Sequence, residues 1–131
     1  GKLRLYSNVS PSKDHWLSAG SGRSGMHYSF IIMAKDGGRV ELVINRGKDS
    51  QEENKRIFDK LYSKKDQIEA ELGREIVWKR MDNKVSSRIE VPYPGAGLYD
   101  EKDWDNIQEE LIEGMTRFEK VMRPHIKALK L

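Results

Sequence analysis

Apolar and polar residues alternate over two neighbouring stretches of the chain. Tyr28, Phe30 and Ile32 fall on one side with His27, Ser29, Ile31 and Met33 on the other, and Val40, Leu42 and Ile44 alternate with Glu41, Val43 and Asn45. A period of two predicts strands. Asp36-Gly37-Gly38 lies between them and supplies the glycines a tight turn needs, so the pair is expected to form an antiparallel hairpin. Ser50-Gln51-Glu52-Glu53 fits a capping box and predicts a helix start. The buried stripe of that helix is Ile57 or Phe58, Leu61, Ile68 and Leu72, it closes at Gly73, and Ser63 is expected to kink or divide it.

Two shorter alternating segments follow, Ile76 with Trp78 and Val85, Ser87, Ile89 with Val91, separated by Asp82-Asn83-Lys84. They read as a second hairpin, and Pro92-Tyr93-Pro94-Gly95-Ala96-Gly97 after them reads as an exposed loop. From Asp103 onward Trp104, Ile107, Leu111, Met115, Phe118, Met122 and then Ile126 or Leu129 recur at three and four, the spacing of one long amphipathic helix. Pro124 should bend or break it. Residues 1–25 are read as an arm: Leu3, Leu5 and Val9 alternate, a helical turn at His15-Trp16-Leu17 is anchored by Trp16, and Gly20 to Gly25 form a loop. The expected fold is α+β in the order ββαββα, a four-stranded antiparallel sheet with two main helices on one face. Residues 1–131 are taken as one domain, the arm at 1–25 and the core at 26–131.

Composition narrows the class. Charged residues make up 34% of the 131 positions, above the norm of roughly 25%, and hydrophobic residues only 37%, so a compact core under a charged skin is expected. The chain has no cysteine, which excludes disulfide scaffolds, cysteine-based metal sites and thiol nucleophiles. No apolar run approaches the ~18 residues of a membrane span, so the expectation is a soluble, cytoplasmic protein with no membrane partner. It begins with Gly1, which suggests a processed chain or a piece of something longer.

The net charge of +3 is unevenly spread. Acids outnumber bases eight to two from Tyr99 to Glu119, while the last twelve residues hold four bases and no acid. The late helix therefore has the polarity its dipole favours, and the rest of the chain is mildly basic.

Several short motifs stand in a recognisable order. They are Asn8-Val9-Ser10-Pro11-Ser12-Lys13-Asp14-His15-Trp16-Leu17, Tyr28-Ser29-Phe30, Arg39-Val40-Glu41-Leu42 and the run from Glu53-Asn54-Lys55-Arg56 to Leu61. Gln67-Ile68-Glu69, Gly73, Trp78-Lys79-Arg80, Ser86-Ser87-Arg88-Ile89 and Trp104 continue them. Together they resemble the prokaryotic domain-of-unknown-function family 4268, over residues 8 to about 129. The resemblance implies an accessory domain, of a kind often placed C-terminal to a region similar to PD-(D/E)xK nucleases and sometimes near restriction and defence systems. The family has no established catalytic residues, so none is carried over.

The residues themselves offer little reactive chemistry. Gly20-x-Gly22-x-x-Gly25 spells a dinucleotide fingerprint, but a strand follows where a helix is required, which leaves a flexible loop or a backbone nest for phosphate assisted by Arg23. A nuclease of the PD-(D/E)xK kind needs Glu-x-Lys on a strand, and Glu41-Leu42-Val43 places valine at the lysine position. Glu41 is better read as the ion-pair partner of Arg88 or Arg39. His15, His27 and His125 are far apart and show no ligand spacing. The pattern calls for no cofactor, no metal and no catalytic residue.

What remains is surface. The bases proposed to meet DNA are Arg74, Lys79, Arg80, Lys84 and Arg88 around the second hairpin, with Arg39, Arg46 and Lys48 near the first. Trp78 stands among them and is expected in the core. Ile112 and Val121 widen the stripe of the long helix and suggest a seam for a homodimer or for the nuclease domain of a parent protein. The expected function is a non-catalytic accessory domain contributing DNA contact or assembly. The rivals are a pure protein–protein interaction or homodimerisation module and a metal-dependent nuclease or hydrolase.

Overall fold

The computed structural model describes residues 15–21, 23–33, 37–94 and 104–130. The first alternating stretches pair as predicted: β2 (Met26–Met33) and β3 (Gly37–Ile44) are antiparallel, with Tyr28 opposite Leu42 and Phe30 opposite Val40. On the far side of β3 lies β5 (Ser87–Tyr93), with Ile89 opposite Leu42, and then β4 (Val77–Lys79). These are the four expected strands. A fifth, β1 (His15–Gly20), lies along β2, so the sheet runs β1-β2-β3-β5-β4 and is antiparallel throughout. The helical turn expected at His15 is thus a strand. The alternation at Leu3, Leu5 and Val9, the turn at Asp36, the loop from Gly95 and the side chain of Trp16 lie outside the described residues.

Three helices stand where two were expected. The first predicted helix divides at Ser63 into α1 (Gln51–Tyr62) and α2 (Lys65–Leu72), and the Ser63 hydroxyl donates to the Lys60 carbonyl at 2.6 Å. Gly73 ends α2 in the left-handed region, φ 72°. The capping box does not form: Ser50 makes no side-chain cap, its N–H donates to Gly47 O at 3.1 Å, and the Glu53 carboxylate accepts instead from Arg46 Nε at 2.7 Å. The last helix, α3 (Trp104–Lys127), runs through Pro124 without breaking. Proline there falls in the final turn, where few bonds remain to be lost, and its carbonyl still accepts from the Ala128 N–H at 3.0 Å.

All three helices serve one sheet face. Phe30, Ile32, Val40, Leu42, Ile44 and Ile89 meet Ile57 of α1, Ile68 of α2 and Leu111, Phe118 and Met122 of α3, all fully buried. Each such side chain contributes about 1.5–3 kcal/mol relative to exposure. α3 crosses β2 and β3 closely because Gly38 has no side chain; a Cβ there would lie 2.9 Å from Leu111 Cδ1.

The second hairpin is fastened to α1 by two buried polar residues. Asn54 accepts from the Arg46 N–H at 3.0 Å and donates to the Val85 carbonyl at 2.9 Å. Lys55, 6% exposed, donates from Nζ to Arg80 O at 2.6 Å, Ser86 O at 2.7 Å and Ser87 Oγ at 2.9 Å. An ammonium has three protons, and all three are used. Met81, between those acceptors, holds a left-handed φ of 56°, a conformation that a non-glycine side chain adopts at a cost. Lys55→Met keeps the bulk and removes all three bonds, leaving the Ser86 carbonyl without this donor while Arg80 O retains the Ser87 hydroxyl at 2.8 Å, and should lower stability by about 2–4 kcal/mol. Urea unfolding reads this as a lower midpoint at unchanged slope; a midpoint equal to that of the parent would show that the clamp carries no stability.

Candidate nucleic-acid interface

The sheet face turned away from the helices is charged. Register sets Glu41 of β3 directly opposite Glu90 of β5, and in the next row Val43, Arg88 and Lys79 lie side by side. Two carboxylates facing each other across strands repel. Both are nonetheless buried, Glu41 to 3% and Glu90 to 5% exposure. Bases make this tolerable: Arg39 Nε lies 3.6 Å from Glu41 Oε2 and 3.7 Å from Glu90 Oε2. Arg88 likewise approaches both, at 3.7 and 3.6 Å, and Lys79 Nζ is 3.2 Å from Glu90 Oε1. Three cations thus surround two anions, and the expected pairing of Glu41 with Arg39 and Arg88 is present. Burial still dominates at Glu41, lifting its carboxyl above the ordinary value despite both guanidiniums.

The other bases are dispersed. Arg80 is exposed at the hairpin and bonds both Asp59 oxygens, at 2.9 and 3.1 Å, and Asp82 as well. Arg46 is tied to Glu53 and to the Ser24 carbonyl at 2.8 Å. Arg74 lies over the Tyr93 ring at 3.9 Å and donates to Pro92 O at 3.3 Å. Lys84 and Lys48 are exposed, with no carboxylate partner among the described residues. Arg39, Lys79 and Arg88 are therefore brought together around Glu41 and Glu90, while Arg80 turns instead to Asp59 of α1 and Arg46 to Glu53. An open groove of about 410 Å³ lined by Gln51, Glu52, Lys55, Arg56, Asp59 and Arg80 runs beside the hairpin.

Several expectations change. Trp78 is half-buried at the sheet edge, not in the core; Nε1 donates to Glu69 Oε2 at 2.9 Å and its ring meets Phe58 and the exposed Tyr62 edge-on. Ile112 is 3% exposed and Val121 packs half-buried on the core, because α3 sinks far enough toward the sheet to cover them; they present no seam. Arg23, expected to assist a phosphate at the glycine-rich loop, is engaged elsewhere. That guanidinium caps the end of α3, donating to Leu129 O at 2.7 Å and Lys127 O at 3.3 Å. Gly25, at φ 78°, lets the loop press on Arg46, whose Cα would lie 2.7 Å from an added Cβ. His125 bonds Glu71 at 3.1 Å, and this contact holds the Glu71 carboxyl below its usual range. Among the described residues no three His, Cys, Asp or Glu side chains group to hold a metal, and no helix is long and apolar enough to cross a membrane.

Sequence reasoning missed Lys55 and the opposition of Glu41 and Glu90. The signal for the first was two polar residues, Asn54 and Lys55, adjoining the apolar stripe of α1. For the second it was register, which alternation alone does not supply. Because burial raises the Glu41 carboxyl from 4.5, the folded chain binds that proton more tightly than the unfolded one. Glu41 thus favours the fold below pH 4.5, and this contribution is lost as pH rises through the raised value. Glu41→Gln should flatten the dependence of melting temperature on pH just above 4.5; an unchanged slope would mean an ordinary carboxyl.

No curated protein and no solved structure matches this chain. One family does, described as a domain of unknown function, DUF4268, over residues 2–126. That span takes in the motifs that build the hairpin clamp and the charged sheet face, from Arg39-Val40-Glu41-Leu42 through Glu53-Asn54-Lys55 to Ser86-Ser87-Arg88. The chain belongs to the DUF4268 family.

Proposed function

We propose that this chain is a non-catalytic accessory domain of a prokaryotic nuclease-like or defence-associated cytoplasmic protein, and that it contacts the phosphate backbone of DNA. The observation that carries the reading is that, among the described residues, the bases Arg39, Lys79 and Arg88 stand around Glu41 and Glu90 on the open sheet face and reach solvent. The ion pairs there mostly engage the buried Nε of Arg39 and Arg88, while these side chains keep 23% and 31% of their surface exposed, where a phosphate oxygen can approach. Arg80 and Lys84 add exposed bases on the hairpin, Arg80 on its α1 side, and Lys55 and Asn54 hold that hairpin still, so little ordering entropy is lost on contact.

Backbone contact of this kind releases counterions and leaves a salt signature. Fluorescence polarisation with a short labelled duplex should give an affinity that weakens about tenfold or more between about 50 and 200 mM salt. Charge reversal at Arg80 and Lys84 should reduce the slope of log affinity against log salt by about two. Absence of binding at the low-salt end, or binding indifferent to salt, overturns the reading.

A further inference from the structure

The hairpin bases contend with carboxylates; a second group of bases does not. Arg56 and Lys60 on α1 and Lys64 in the turn after it recur at a spacing of four and are all exposed. At 1.5 Å per residue Arg56 and Lys60 stand about 6 Å apart along α1, and Lys64 continues the row in the turn. Beside this row runs the segment that follows α3, held in place by the Arg23 bonds to Lys127 O and Leu129 O and by Lys60 Nζ, 3.4 Å from Lys130 O. Two depressions lie between the walls. One of about 320 Å³ is lined by Glu53, Arg56, Ile57, Lys60 and Lys130, the other of about 300 Å³ by Lys60, Leu61, Ser63, Lys64, His125, Ala128, Leu129 and Lys130. They share Lys60 and Lys130, so they form one continuous groove.

The charge of this groove is one-sided. The carboxylate in its lining, Glu53, is already held by Arg46 at 2.7 Å, and His125 at the other end is paired with Glu71. Arg56, Lys60, Lys64 and Lys130 have no carboxylate partner among the described residues. We propose that the groove between α1 and the chain following α3 is a second, unneutralised binding site for the phosphodiester backbone of nucleic acid, with Arg56, Lys60 and Lys64 each meeting one phosphate.

The row favours a phosphate backbone over an acidic peptide. On one strand of a duplex, consecutive phosphates rise ~3.4 Å along the axis and, because the strand also winds around it, stand roughly 6–7 Å apart, close to the step from Arg56 to Lys60. An acidic peptide has no such fixed period. The floor made by Leu61, Ala128 and Leu129 gives no hydrogen bonds to read bases, so contact here should not depend on sequence. The site deepens the proposed function and rests on the same partner, but its residues are separate from the hairpin.

The experiment compares three proteins on one labelled duplex of arbitrary sequence: the parent chain, Arg56→Glu/Lys60→Glu/Lys64→Glu, and Arg80→Glu/Lys84→Glu. Lys60 also donates to Lys130 O at 3.4 Å, so Arg56→Glu/Lys64→Glu, which spares that bond, serves if the triple variant melts below the parent. Affinity should fall by about tenfold or more in the groove variant, its salt slope should drop by about three, and the loss should exceed that of the hairpin variant. A polyglutamate of equal charge should compete much less well than unlabelled duplex. If the parent binds and only the hairpin variant loses affinity, the groove is overturned while DNA contact by the domain stands. If the parent does not bind, both readings fail together. If polyglutamate competes as well as DNA, the groove recognises an acidic protein segment and the proposal is overturned.

Discussion

The ammonium of Lys55 lies almost wholly out of water, and each of its protons meets an oxygen of the segment between β4 and β5. Burying a charge is unfavourable unless its hydrogen-bonding capacity is met, and desolvation does pull this lysine below its ordinary value. The arrangement persists because the acceptors are fixed by two strands on one side and by a helix on the other. It ties a short edge strand, which would have little to hold it, to the first helix, and it orients everything the hairpin displays. Arg80 reaches Asp59 on α1 because its own carbonyl is already pinned to Lys55 one turn away.

The charged sheet face follows a different logic. Glu41 and Glu90 oppose each other at the centre of a five-stranded sheet, where a pair of apolar residues would be simpler. Buried ion pairs of this kind are weak stabilisers, since desolvation offsets most of their attraction. What they supply is placement: two arginines that each touch both carboxylates are confined to one plane. Among the described residues a rigid, shallow array of bases around two carboxylates results, and such an array suits contact with an extended anion better than chemistry on a small substrate.

The sequence showed the hairpins, the helix break at Ser63 and the long last helix because each rests on local periodicity or on one residue's backbone preference. The pairing of Glu41 with Arg39 and Arg88 was legible for a similar reason: a charge at a half-buried strand position needs a partner in the adjoining rows. β1 was less legible, since His15-Trp16-Leu17 carries no alternation and becomes a strand only because β2 offers it an edge. Ile112 and Val121 misled because the width of an apolar stripe does not tell how deeply a helix is seated. Arg56, Lys60 and Lys64 were visible as bases on a helix, but the other wall of their groove comes from the far end of the chain, and no local pattern brings the two together.

The two borders of the sheet are unequal. β4 exposes only three residues and carries Lys79 at its end, which makes that border a poor template for another chain's strand. β1 presents six residues along the opposite border. Among the described residues, strand addition or swapping therefore meets one longer unpaired border, and a lysine or proline introduced into β1 is the economical way for an engineered version to stay monodisperse at high concentration.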